Sequence, residues 1–520
     1  ETPMTADPSA GRTDHQAAII AFLEDPETHG GTCVQRVDTH AAMVFLAGDD
    51  VYKVKRPVRY AYLDFSTLER RRDACEHELE VNRAYAGEIY RGVVPITRDA
   101  EGGLAIDGDG VPVEWAVHMK RFDETSTLDR TILAGPLPAD VVDAVADRLA
   151  EAHAVAERRD GRPWIDDLAN YLDDNLASFQ AAPDLFPPHA VARLDASARE
   201  TLSAIGPLLD ARDREGKIRH IHGDCHLGNI AMIDGAPRFF DAIEFDDRIA
   251  TGDVLYDLAF LVMDIWRHGH HADASRVFNR YLTVQGDASD LAALAAFPFF
   301  LMMRAAIRAK VGAARLRFVD ESARDEAVRD ATRAFRHACA FLEPEPARLV
   351  AVGGLSGTGK TTVARGLAPS VGRAPGAVHL RTDVLRKRRA GVALTDRLPP
   401  EAYTKEASAA VYDALFSQAG IVLSAGQSVV LDAVFASPEE RAEAAGIAAR
   451  AGVRFSGIWL DAPADALAER VEGRSGDASD ATAELVRAQS AYDLGRIDWA
   501  RVETGCPRPA TLKAAMAALE

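Results

Sequence analysis

At 520 residues the chain is longer than one hydrophobic core normally organises, so two or more domains are expected. Its net charge of -19 excludes nonspecific attraction to a nucleic-acid backbone, and nucleic acid is not an expected partner. The five cysteines, Cys33, Cys75, Cys225, Cys339 and Cys506, lack the paired spacing of a zinc knuckle or a disulfide framework and suit a reducing compartment.

The first residues, ETPMTADPSAGRTD, carry acids and prolines where a signal peptide has a basic start and an apolar stretch. The longest apolar run, Leu291 to Met303, is too short for a bilayer span and contains Pro298. A cytoplasmic protein without membrane segments is expected, with this run as one buried helix; the oligomeric state is left open.

Strand-like segments dominate from about Cys33 to Met119. Among them MVFLAG and VYKVK are joined at Gly48-Asp49-Asp50, a hairpin turn. From about Ala139 the pattern is mainly helical; a small strand lobe followed by a large helical lobe is the organisation of the protein-kinase-like fold, and the ordering by itself supports an α+β domain. Within it, residues 222–229 read HGDCHLGN, and after a turn at Asp234-Gly235 comes the strand-like FFDAIEF containing Asp241. This is the set that phosphoryl transfer needs: Asp224 to orient or deprotonate a hydroxyl, with Asn229 and Asp241 to hold magnesium against nucleotide phosphates. His220, His222 and His226 offer metal ligation as an alternative, but loop histidines are more often structural.

The clearest seam is LEPEPA, residues 342–347, ahead of the apolar strand Leu349 to Val352. The expected organisation is a kinase-like domain over 14–341, a linker over 342–347 and a P-loop domain over 348–520. After the seam, Leu349 to Val352, Val378 to Leu380, Val429 to Leu431 and Ile458 to Leu460 alternate with helical stretches, which predicts an α/β domain with a parallel sheet. The acid excess lies almost wholly before this segment. The segment itself holds the basic cluster Arg386, Lys387, Arg388 and Arg389, which leaves an anionic substrate possible.

GLSGTGKTT, residues 354–362, satisfies the phosphate-loop pattern in full. Gly354, Ser356, Gly357, Thr358, Gly359 and Thr362 are expected to bind the nucleotide, the loop backbone cradling its phosphate oxygens. Lys360 can reach the β and γ phosphates, and Thr361 can ligate magnesium. Asp432, at the end of the third strand, fits the acid that holds magnesium, and Asp383, after the second, fits a base for an acceptor hydroxyl. Arg470 and Arg474 lie four apart before a glycine-containing loop, either as lid charges for the transferring phosphoryl group or as solvated surface arginines.

On GLSGTGKTT, RTDVLRKR, VVLDAVF and RVEGRSGDASDA, the C-terminal segment resembles P-loop kinases of the gluconate kinase, polynucleotide kinase and zeta-toxin type. That resemblance implies ATP, magnesium and a hydroxyl acceptor. The HGDxHxxN motif at 222–229 resembles the aminoglycoside phosphotransferase and choline kinase superfamily. This second resemblance implies a nucleotide-binding lysine at Lys53 or Lys55, Lys53 being favoured, with Glu78 as its helix partner and Asp253 and Asp257 as structural residues.

The order of the two domains is similar to bacterial bifunctional aminoglycoside phosphotransferase/ATP-binding proteins. The expected activity is transfer of the γ-phosphate of ATP, with magnesium, to small-molecule hydroxyls at two sites. Two other classes stand beside it: a nucleotide-sensing regulator with one degenerate kinase domain, and a nucleic-acid 5'-hydroxyl kinase.

Overall fold

A computed structural model of the chain describes residues 10–39, 41–60, 63–317, 319–463, 467, 469–470, 479–480, 482–489 and 491–519. Backbone contacts divide the chain into two compact units. One comprises Glu1–Gly135, Glu151–Trp164 and Ile218–Asp257; the other comprises Pro136–Ala150, Ile165–Lys217 and Leu258–Glu520, so residues 342–347 lie inside it.

The first unit is built on a six-stranded antiparallel sheet. Its spatial order is Val34–Asp38, Ala42–Ala47, Asp50–Lys55, Val111–Lys120, Tyr90–Arg98 and Leu104–Ile106. Ala47 pairs with Asp50, so the hairpin loop is Gly48-Asp49, and Gly48 supplies the positive φ of +60° that the tight turn needs. Alternation along Asp50–Lys55 gives the sheet two buried faces. Val54 and its partner Ala116 join Met43, Phe45 and the helix residues Ile19 and Leu23 on one face. On the other face Val117, which pairs with Lys53, packs with Cys75 and Ala86 of the helix Leu68–Ala86. Lys53 and Lys55 therefore point toward that helix.

The P-loop portion of the second unit is a five-stranded parallel sheet in the order Val378–Arg381, Val429–Asp432, Arg348–Gly353, Arg454–Asp461 and Ala500–Glu503. The first four contain the strands expected from sequence. The fifth was not expected: of ARVE only Val502 is buried, so an edge strand leaves little apolar pattern to read. Val350, Val352, Val430, Ile458 and Leu460 form its core with Val363 and Leu367 of the helix Lys360–Leu367 and Ala515 of Arg508–Ala517.

Helix His271–Val284 caps the free edge of strand Val378–Arg381. Asn279 Nδ2 donates to Ala377 O at 3.1 Å and its Oδ1 accepts from His379 N–H at 2.7 Å, so one amide supplies what a neighbouring strand would.

The apolar run at residues 291–303 corrects the expectation of one helix. Ala288–Ala292 and a short 3-10 turn precede a separate helix, Phe297–Arg315, with Pro298 in its first turn. Proline lacks only an N–H that the first turn leaves unpaired anyway, so it starts a helix here. Among the described residues no single helix is long and apolar enough to cross a membrane.

Candidate active sites

In the first unit, Lys53 Nζ lies 2.8 Å from Glu78 Oε1 and 2.7 Å from Asp241 Oδ1. Lys55 Nζ lies 2.5 Å from the other Glu78 oxygen and also pairs with Glu244. Period two places both lysines on one carboxylate, and only Lys53 also reaches Asp241. Glu78 is fully buried. Burial opposes its charge, but the two ammonium groups overcome that and hold its pKa at about 2. Burial likewise works against the Lys53 charge, and Asp241 and Glu78 reverse it, so its pKa is raised.

Asp241 departs from the strand expected of it. The strand ends at Phe239, and Asp241 takes φ +59°, the left-handed region. The backbone here leaves the ladder for other partners: Asp241 N–H donates to Tyr90 Oη at 3.2 Å and Ala242 N–H to Asn82 Oδ1 at 2.9 Å. Phe240 N–H donates to Asn229 O at 2.9 Å and Ile243 N–H to His222 O at 3.0 Å, which lays the Asp241 segment against the HGDCHLGN loop.

Within that loop Asn229 Nδ2 donates to Asp224 O at 3.0 Å and to Asp224 Oδ2 at 3.1 Å. Fully buried Asp257 accepts the N–H groups of His222 at 2.8 Å and Gly223 at 3.1 Å, fixing the turn from which Asp224 projects. The three histidines do not converge. His222 bonds Phe240 O at 3.1 Å, and His226 Nδ1 accepts from Gly228 N–H at 3.0 Å. His220 turns toward His77.

In the second unit the loop after strand Arg348–Gly353 turns through Gly354, Gly357 and Gly359 at φ +142°, +87° and +88°. A Cβ on Gly354 would lie 2.6 Å from Leu460 O, so both conformation and space require glycine. Ser356 N–H donates to Gln489 Oε1 at 2.8 Å, Thr358 Oγ1 to Leu355 O at 2.8 Å and Lys360 Nζ to Leu355 O at 3.0 Å. Thr362 is exposed.

Thr361 Oγ1 donates to Asp432 Oδ2 at 2.7 Å. The same carboxylate oxygen lies 3.3 Å from His379 Nε2 and 3.4 Å from Arg381 Nε. Burial opposes ionisation of Asp432, and His379 and Arg381 more than offset it, so its pKa is lowered. Asp383 behaves oppositely: burial raises its pKa, and the charges of Arg381, Asp432 and Lys360 all reach it.

Arg470 donates to Thr504 Oγ1 at 3.2 Å and to Thr504 O at 2.6 Å. Arg474 lies outside the described residues. The basic cluster is largely engaged within the fold. Arg386 bonds Ala402 O at 2.5 Å, Lys387 lies 3.1 Å from Asp480, and Arg388 bonds Gly286 O at 2.9 Å.

His379 and Arg381 were not singled out from sequence, although their period-two spacing ahead of Asp383 was a usable signal. Gln489 carried none.

The metal that both motifs imply is magnesium, and the donors fit it. Asn229 through its amide oxygen and Asp241 through its carboxylate offer hard oxygen donors in the first unit, as do Thr361 and Asp432 in the second.

Residues 47–297 match the model of the phosphotransferase enzyme family, and residues 349–493 match an AAA domain model. The chain is 31% identical over 506 residues to uncharacterized proteins of Mycobacterium tuberculosis and Mycobacterium bovis, covering 93% of this chain and 97% of theirs. Among solved structures it is similar to a gluconokinase from Sinorhizobium meliloti, at 21% identity and TM-score 0.25 over 34% of this chain and 91% of that one. It is also similar to a choline/ethanolamine kinase family protein from Mesorhizobium loti, at 15% identity and TM-score 0.35 over 63% and 99%.

Proposed function

The chain belongs to one family with the mycobacterial proteins, and because its residues 47–297 match the phosphotransferase enzyme family and 349–493 an AAA domain, we propose that it transfers the γ-phosphate of ATP to small-molecule hydroxyls at two sites. The observation that supports this reading is the Thr361–Asp432 hydrogen bond together with a second carboxylate, Asp383, which the charges of Asp432 and Lys360 reach and whose pKa burial holds up. A simple ATPase has no need of a base placed for an acceptor; a hydroxyl kinase does.

At the C-terminal site the loop N–H groups and Lys360 bind and orient the phosphates, while Thr361 and Asp432 would hold magnesium. Asp383 takes the proton of the acceptor hydroxyl as the oxygen attacks. Arg470 and Arg474 are assigned to charge neutralisation, which for Arg470 requires exchanging Thr504 for phosphate. At the N-terminal site Lys53, held by Glu78, positions the nucleotide phosphates, and Asn229 and Asp241 would hold the metal. Asp224 receives the acceptor proton. Bound magnesium neutralises charge on the phosphate oxygens.

Sugars, aminoglycoside-like molecules and nucleotide sugars are the acceptor classes proposed. The engagement of Arg386, Lys387 and Arg388 inside the fold argues against a nucleic-acid 5'-hydroxyl acceptor.

The test is ATP consumption with a panel of hydroxylated acceptors compared with water alone. Faster loss with an acceptor supports the proposal. Equal loss with every acceptor and with water overturns it in favour of a nucleotide-sensing regulator.

A further inference from the structure

The first unit gathers a separate set of ligand-type side chains beside its phosphate site. His77 on helix Leu68–Ala86, His220 at the end of strand Ile218–His220 and Asp247 in the loop beyond Glu244 each offer one atom, and these atoms lie within 4.8 Å of one another. His77 Nε2 is 3.7 Å from Asp247 Oδ1, and the two imidazole rings stack with centroids 6.3 Å apart. His220 Nε2 is buried and has no hydrogen-bond partner. An unsatisfied buried nitrogen costs about 1–3 kcal/mol, so its persistence asks for a ligand.

We propose that His77, His220 and Asp247 bind a transition-metal dication of the zinc class. Two imidazole nitrogens and one carboxylate oxygen suit such an ion, whereas magnesium and calcium prefer oxygen alone. Metal–ligand bonds of about 2.0–2.2 Å require the three atoms to draw together by roughly 1 Å. The side chains of His77 and Asp247, 34% and 62% exposed, are not packed on every side and have room for this.

Glu80 Oε2, 4.0 Å from His77 Nδ1, can accept from the far side of that ring and orient it. Arg159 opposes a cation here, but its charge is shared with Glu157 at 3.2 Å. The fourth ligand position is left for water.

The placement gives the ion a structural consequence. His77 adjoins Glu78, His220 precedes the HGDCHLGN loop and Asp247 follows the Asp241 segment, so one ion would fasten together the three segments that build the N-terminal phosphate site.

Cobalt(II) titration of the full chain in excess magnesium tests this, with visible absorption reporting coordination and zinc added in competition. The wild type is expected to bind one cobalt with an imidazole–carboxylate spectrum and to release it to zinc. His77→Ala and Asp247→Ala should each weaken binding about tenfold or more. Thermal unfolding without metal establishes that each variant folds, and His220→Gln supplies a third variant should either fail. Equal affinity in wild type and folded variants overturns the proposal. So does a near-ultraviolet thiolate band, which would place the metal on a cysteine, or the absence of cobalt binding to the wild type.

Discussion

Replacing Glu78 by Gln keeps the shape of a fully buried side chain and removes the charge that faces Lys53 at 2.8 Å and Lys55 at 2.5 Å. The carboxyl is held at about 2 against an ordinary 4.5, because the two ammonium groups outweigh its burial. That lowering corresponds to about 3 kcal/mol in favour of the ionised form in the fold. It matches the roughly 3–5 kcal/mol lost when one partner of a buried ion pair is removed. A carboxyl with a lowered pKa stabilises fully above its unfolded value and loses that contribution as pH falls toward the folded one. The deficit of Glu78→Gln should therefore be complete at neutral pH and shrink below about pH 4.5. Hydrogen exchange of helix Leu68–Ala86 and strand Asp50–Lys55 is the direct assay, with thermal unfolding across pH beside it. Exchange about 100-fold faster than wild type is expected at neutral pH. A change of less than about threefold would refute the reasoning.

Burial raises the Asp383 pKa, and only the ionised form can accept a proton, so kcat/KM at the C-terminal site should rise with pH through that raised value. A pH–rate profile checks this, and Asp383→Asn should lose the limb together with about 10²–10⁴ of turnover. Thr361→Ala removes the hydroxyl that bonds Asp432 at 2.7 Å. The magnesium concentration for half-maximal rate should rise in this variant, read from a magnesium titration. Asn279→Leu leaves Ala377 O and His379 N–H without the amide that bonds both, at a cost of about 1–3 kcal/mol. Faster exchange in strand Val378–Arg381 is the expected readout.

The sequence was most legible where local chemistry and fold demand the same residues. Four parallel strands surfaced because their buried runs are mostly apolar, with His379 the polar exception in Val378 to Leu380. The phosphate loop surfaced because Gly354 and Gly359 occupy conformations that other residues avoid. Lys53 and Lys55 could not be separated by alternation. The structure distinguishes them through partners distant in sequence, Asp241 for Lys53 and Glu244 for Lys55.

Long-range partners account for the rest. Asp241 leaves its strand because Tyr90 and Asn82 capture its backbone neighbourhood. The basic cluster reads as a charged surface, yet Lys387 is 1% exposed and paired with Asp480. His77 is not marked in the sequence at all, since nothing local says that helix Leu68–Ala86 meets strand Ile218–His220.

On the proposed function one chain carries two phosphoryl-transfer sites. Product mass, followed with ATP loss across an acceptor panel, tests it when wild type is compared with Asp224→Asn, Lys360→Ala and the double variant. Each single variant should lose a different phosphorylated product, and the double variant should lose both. Retention of every product in the double variant, or loss of the same product in both singles, would contradict it.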